Sequence, residues 1–77
     1  MFWVLEEGRH VLVLTLPVLG GAEDETDRID VGYVEQDEDE LVGSCVLSFC
    51  VRRFPVEQLD EVKAFVEAMV RQMTRLP

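Results

Sequence analysis

From Leu59 onward, large apolar residues recur at Leu59, Val62, Val66, Met69, Met73 and Leu76, alternating steps of three and four that an α-helix turns to one side. Phe65 and Val70 widen that stripe, as expected of a helix lying on a core rather than in a narrow coiled-coil seam. Pro55 suits the first turn of a helix, so one is predicted over residues 56–75. Glu57, Asp60 and Glu61 near its start and Arg71 and Arg75 near its end complement the helix dipole. Glu67 and Arg71 are a favourable pair one turn apart.

Everything before this helix reads as strand and turn. "FWVLEEGRHVLVLTL" is a β-hairpin over residues 2–6 and 10–16, with Gly8 supplying the positive φ of a tight turn. Pro17 ends the second strand or confines it to a sheet edge, because proline cannot donate to a ladder. "LGGAEDETDR" is a loop. "IDVGYV" alternates, with Ile29, Val31 and Tyr33 on one face and Asp30, Gly32 and Val34 on the other, and gives a third strand over residues 29–35. "LVGSCVLSFCVRRF" gives the longest strand, over residues 41–53, with Leu41, Cys45, Leu47, Phe49 and Val51 as its apolar face.

The expectation is therefore a single α+β domain over residues 1–77: a four-stranded antiparallel sheet of two hairpins with one C-terminal helix packed on one face. Strands running up and down in that order would put Glu6, Glu7 and the 35–40 run beside the end of the helix. The 23–27 run would then lie near its start.

Sixteen acidic residues against seven basic ones leave a formal charge of −9 on 77 residues, yet 48% of the chain is hydrophobic. That is too apolar for a disordered acidic tail, so the chain is expected to fold. "MFWVL" has no basic flank of a signal peptide, and "VLVLTLPVLGG" is far shorter than the ~20 residues of a membrane span. A cytoplasmic protein with no membrane partner is the expectation.

Two acidic runs stand out: Glu23, Asp24, Glu25 and Asp27, then Glu35, Asp37, Glu38, Asp39 and Glu40. Neither fits a calcium loop, which needs Gly at its sixth position and Glu at its twelfth. Counted from Asp37 those positions are Val42 and Ser48, and from Asp24 the sixth is Ile29. Cys45 and Cys50, on one continuous strand, would stand about 16 Å apart on opposite faces, too far for a disulfide. The one histidine, His10, at a strand start, reads as a surface or half-buried residue. No nucleophile motif or phosphate-binding glycine loop accompanies Ser44 or Ser48. No enzyme activity, cofactor or metal is expected.

The charge also opposes direct nucleic-acid binding, where phosphate contacts dominate. Arg52 and Arg53 are the only adjacent basic pair and read as the solvated end of a strand. The β-β-β-β-α order resembles the single-stranded-DNA-binding transcription coactivator fold, which would imply a single-stranded nucleic-acid-binding domain, though without that fold's basic residues. Residues 46–69, "VLSFCVRRFPVEQLDEVKAFVEAM", resemble the last strand and helix of type III secretion chaperones over about a third of the chain. That family's opening helix has no counterpart here.

Two interaction readings follow. In the first, the nine carboxylates of the acidic runs dock on a basic, nucleic-acid-binding protein partner. Nuclease immunity proteins, anti-restriction DNA mimics and anti-CRISPR proteins work in this way. In the second, the chain is a homodimeric structural or chaperone-like module that binds through apolar contacts. Phe2, Trp3, Val4 and Leu5, with Val11, Leu12, Val13, Leu14 and Leu16, load both faces of their strands with apolar side chains. One helix ~10 Å wide covers only one face, so these residues are expected to form a homodimer interface.

Overall fold

The chain makes its first reversal at Glu7 (φ 51°) and Gly8 (φ 77°). Both are left-handed, as a two-residue hairpin turn of this twist demands. The computed structural model describes residues 1–18, 20, 25–46 and 51–74, the last by its backbone alone. Its elements are β1 (Phe2–Glu6), β2 (Arg9–Pro17), β3 (Thr26–Asp37), β4 (Glu40–Cys45), β5 (Val51–Pro55) and α1 (Leu59–Thr74). The strands form one antiparallel sheet in sequence order, with α1 against one face.

The sheet thus has five strands where four were expected. The run over residues 41–53 is not one strand but parts of two, β4 and β5, which pair as a hairpin from Glu40↔Pro55 to Ser44↔Val51. A strand of that length would extend about 43 Å, whereas the pairing of β3 with β4 ends at Gly32↔Cys45. Folding back gives the second half a partner. The reversal also exchanges faces: Leu41 stands beside Phe54, so even positions of β5 share the face of odd positions of β4. Leu41 and Cys45 are buried as expected, while Val51 is exposed on the opposite face. Leu47, Ser48, Phe49 and Cys50 lie outside the described residues. Pro55 ends β5 instead of opening the helix, which starts at Leu59.

A β-bulge corrects the reading of β3. Leu12 pairs with Gly32 but Val13 pairs with Asp30, so Val31 is the extra residue. Val31 joins the core under α1, whereas Tyr33 lies opposite Val11 on the other face. The simple alternation of Ile29, Val31 and Tyr33 on one face is thereby broken.

Trp3, Leu12, Gly32 and Cys45 form one row across the sheet; Leu5, His10, Val34, Gly43 and Arg52 form the next. These rows face α1. Val62, Val66 and Val70 are fully buried against them, with Leu59, Phe65 and Met69 on the flanks. The buried seam thus runs at steps of four, and Met73 is 51% exposed. Glycine permits this approach. A methyl at Gly43 would lie 2.6 Å from Val62 Cγ2, and one at Gly32 would collide with Val66 Cγ1.

Among the described residues, no helix lies on the face away from α1, yet Val11 and Val13 are only 2% and 1% exposed there. Charged side chains reach across this face. Arg28 of β3 donates to Glu6 of β1 (2.6 Å) across the intervening β2, and also to Asp30 (2.9 Å). Arg9 lies 4.4 Å from the Tyr33 ring centroid and donates to Glu35 at 2.9 Å. The aliphatic stems of these arginines cover apolar surface while their heads stay hydrated.

Gly43→Ala should lower stability by about 1–3 kcal/mol, as overpacking does in a filled core. In urea, the midpoint should fall with little change of slope, and adding Val62→Ala should recover part of the loss. An unchanged midpoint in Gly43→Ala would mean that α1 does not sit this close.

Candidate functional site

The fifth strand decides where the acids gather. Because β5 runs back to Pro55 beside Glu40, α1 begins at the same end of the sheet as the β1–β2 and β3–β4 turns. This corrects the expected layout: the 35–40 run lies beside the start of the helix, not its end. Glu6 and Glu7 come from the first turn, and Glu35, Asp37, Glu38, Asp39 and Glu40 from the β3–β4 hairpin. Glu57, Asp60 and Glu61 come from the start of α1. Ten carboxylates from three chain segments thus share one end.

Some of them are neutralised locally. Arg53 donates to Asp37 at 2.9 Å and lies 3.8 Å from Glu40, and Arg9 and Arg28 take Glu35 and Glu6. These contacts raise the arginine pKa values, chiefly through the side-chain hydrogen bonds to Glu35 (Arg9), Glu6 (Arg28) and Asp37 (Arg53). All three guanidiniums stay charged. Glu7, Glu38, Asp39, Glu57, Asp60 and Glu61 have no ion-pair partner among the described residues. An open groove joins Asp39 and Glu40 to Glu57 across Pro55 and Val56.

Backbone geometry adds a second feature. Glu7 (φ 51°) and Glu38 (φ 57°) are the non-glycine residues with positive φ among those described, and both are acids of this end. A left-handed conformation costs such a residue roughly 1–2 kcal/mol, and glycine or asparagine would hold either turn more readily.

The rest of the expected acidic surface does not join them. Glu25 and Asp27 lie at the opposite end, where β2 and β3 run on past Val13 and Asp30 as a two-stranded arm without β1 or β4 beside them. Glu23 and Asp24 lie outside the described residues. Sequence reasoning left Glu6, Glu7, Glu57, Asp60 and Glu61 out of the candidate surface. The signal that places them is chain direction, which turns on counting the strands.

Of the residues expected to form a dimer interface, Val11, Leu12 and Val13 are buried within the single chain. Trp3, Val4 and Leu14 are half-buried. Phe2, Leu5 and Leu16 are 48%, 68% and 43% exposed. Trp3 packs on the core with the Lys63 ammonium 5.5 Å from its ring centroid. Arg52 lies over the rings of Phe54 and Phe65 at 5.1 and 5.7 Å.

His10 lines a cleft of about 160 Å³ between the sheet and the start of α1, with Gly8, Val34, Gln36, Leu41, Val56 and Leu59. Among the described residues, no three His, Cys, Asp or Glu side chains converge so as to hold a metal ion. Cys45 is a free, buried thiol. Cys50 lies outside the described residues, and the single strand expected to hold the two cysteines apart is divided into β4 and β5. Among the described residues, no helix is long and apolar enough to cross a membrane. No protein-family model, curated protein or solved structure matches the chain.

Partial burial lowers the His10 pKa below its ordinary 6.5, and Lys63 lowers it further. The unfolded chain therefore takes up this proton more readily than the folded one. Stability should be complete above about pH 6.5 and fall as pH drops through that value toward the lowered folded pKa. His10→Gln should remove this part of the slope between about pH 7.5 and 5.5. Identical slopes in urea titrations of both proteins would contradict the assignment.

Proposed function

We propose that this chain is a non-enzymatic interaction protein whose acidic end docks on the basic surface of a nucleic-acid-handling protein, as small acidic inhibitors and adaptors do. The observation that carries the reading is convergence: three chain segments bring their carboxylates to one end, and six of those carboxylates have no ion-pair partner among the described residues. Like charges gathered on a rigid frame build a field that steers encounter with an oppositely charged surface. Glu7 and Glu38 support it further, since both turns hold an acid where a less strained residue would serve folding better.

Acidic clusters on a chain of −9 also serve solubility alone, and the two roles separate under substitution. Replacing Glu7, Glu38 and Asp39 with Asn should reduce capture of basic proteins from a host lysate at least tenfold. Captured partners should elute as salt is raised, because exposed charges are screened. Capture that is unchanged by the substitutions, or indifferent to salt, would overturn the docking reading.

An apolar reading is favoured by one other observation: Leu16, Ile29 and Met73 are 43%, 40% and 51% exposed. A chaperone-like module using such side chains would bind more tightly as salt rises. The same lysate experiment tells the two apart.

Glu38→Asn alone should move two quantities in opposite directions. Relief of the left-handed turn should raise stability by up to about 1 kcal/mol, while capture of the basic partner weakens. A loss of stability would show that the Glu38 side chain supports the turn.

A further inference from the structure

The sheet has two outer edges, and they are unlike. On β5, Arg52 and Arg53 are followed by Pro55, the charged and proline-bearing pattern that discourages further strand pairing. On β1, the stretch Phe2, Trp3, Val4 and Leu5 has neither a charge nor a proline. Its outer edge meets no other strand among the described residues.

Which backbone groups that edge presents follows from the turn. A two-residue turn makes Glu6 and Arg9 a hydrogen-bonded pair, and alternation then makes Val4↔Val11 and Phe2↔Val13 hydrogen-bonded pairs too. Trp3 and Leu5 are left with N–H and C=O groups directed outward. Among the described residues, Leu5 is the most exposed of the large apolar side chains, at 68%.

We infer that β1 pairs antiparallel with β1 of a second copy, about a two-fold axis at Val4, to give a continuous ten-stranded sheet. This register uses the full length of the strand. It sets Trp3 opposite Leu5 of the other copy twice, bonding the four outward groups on each side and covering Leu5 with an indole. Val4 faces its own symmetry mate. A charged partner would find no complement along Trp3–Leu5, whereas a second copy matches apolar to apolar at those three positions. The charge distribution agrees: the two-fold sends the acidic turns of the two chains in opposite directions, and the one acid within the paired strands, Glu6, sits at the ends of the pairing opposite Phe2 and is already held by Arg28. A single strand pair buries less than a standard interface, which sets the association in the micromolar range rather than tighter. The pairing is independent of the docking at the acidic end.

Sedimentation equilibrium of the full chain across micromolar concentrations should show the mass rising from 8.8 kDa toward twice that value. Leu5→Lys, at an exposed position, should weaken association at least tenfold while leaving the circular dichroism and the capture of basic proteins unchanged. Val4→Cys should form a disulfide-linked dimer on mild oxidation, beyond any formed by the parent chain, and Phe2→Cys should not. A mass of 8.8 kDa throughout would overturn the pairing with a second copy, as would association untouched by Leu5→Lys. Cross-linking equal at both cysteine positions would overturn the register. Loss of basic-protein capture in the triple Asn variant, with self-association intact, would bear on the acidic end alone.

Discussion

The seating of α1 on the two mid-strand glycines governs much of the rest of this molecule. Val62 and Val66 occupy the space that side chains at Gly43 and Gly32 would fill, so the helix lies closer to β3 and β4 than an ordinary packed layer allows. All three valines of the seam are fully buried, and the row from Leu12 to Cys45 closes around them. A chain this short buries a smaller share of its surface than larger domains do, so such close packing counts for more here. The seam also leaves β1 and β2 largely to side-chain cover, supplied on one face by Trp3 and Lys63 and on the other by the arginine ion pairs.

From that seating follows the direction of the helix, and from direction the electrostatics. With α1 starting beside Pro55, its acidic first turn adds to the two acidic hairpin turns instead of lying at the far end of the sheet. The dipole of α1 presents its positive end there and partly offsets the carboxylates of Asp60 and Glu61. The exposed ion pairs of Arg9, Arg28 and Arg53 are each worth little as salt bridges. Arg28 also ties β3 to β1 across the face that carries Val11 and Val13, and the Arg9 guanidinium lies over the Tyr33 ring.

Much of this was legible in the residues, and the failures have physical causes. The 3-4 spacing from Leu59 fixed the helix because a wide apolar stripe has no other use, and Glu-Gly between two β-rich runs fixed the first turn. The β4–β5 reversal was missed because "LVGSCVLSFCVRRF" has no glycine, proline, asparagine or aspartate between Cys45 and Val51, only Ser48, and its alternation runs on unbroken. The bulge at Val31 was missed because an inserted residue changes pairing without changing composition. A usable signal did exist. Gly32 and Gly43 stand inside strands, where glycine marks a close approach of something else, and together they would have located the helix. The acidic runs were seen as charge, but which of them share an end depended on the uncounted strand.

The arrangement of sheet, helix direction and acidic end rests on which helix residues touch which glycines. Nuclear Overhauser contacts between side-chain methyls and glycine Hα protons measure this directly. The fold described here predicts strong contacts from Val66 methyls to Gly32 and from Val62 methyls to Gly43, with Leu59 near Leu41. Contacts from Met73 to Leu41, with Val62 near Val31, would reverse the helix and disperse the acidic end.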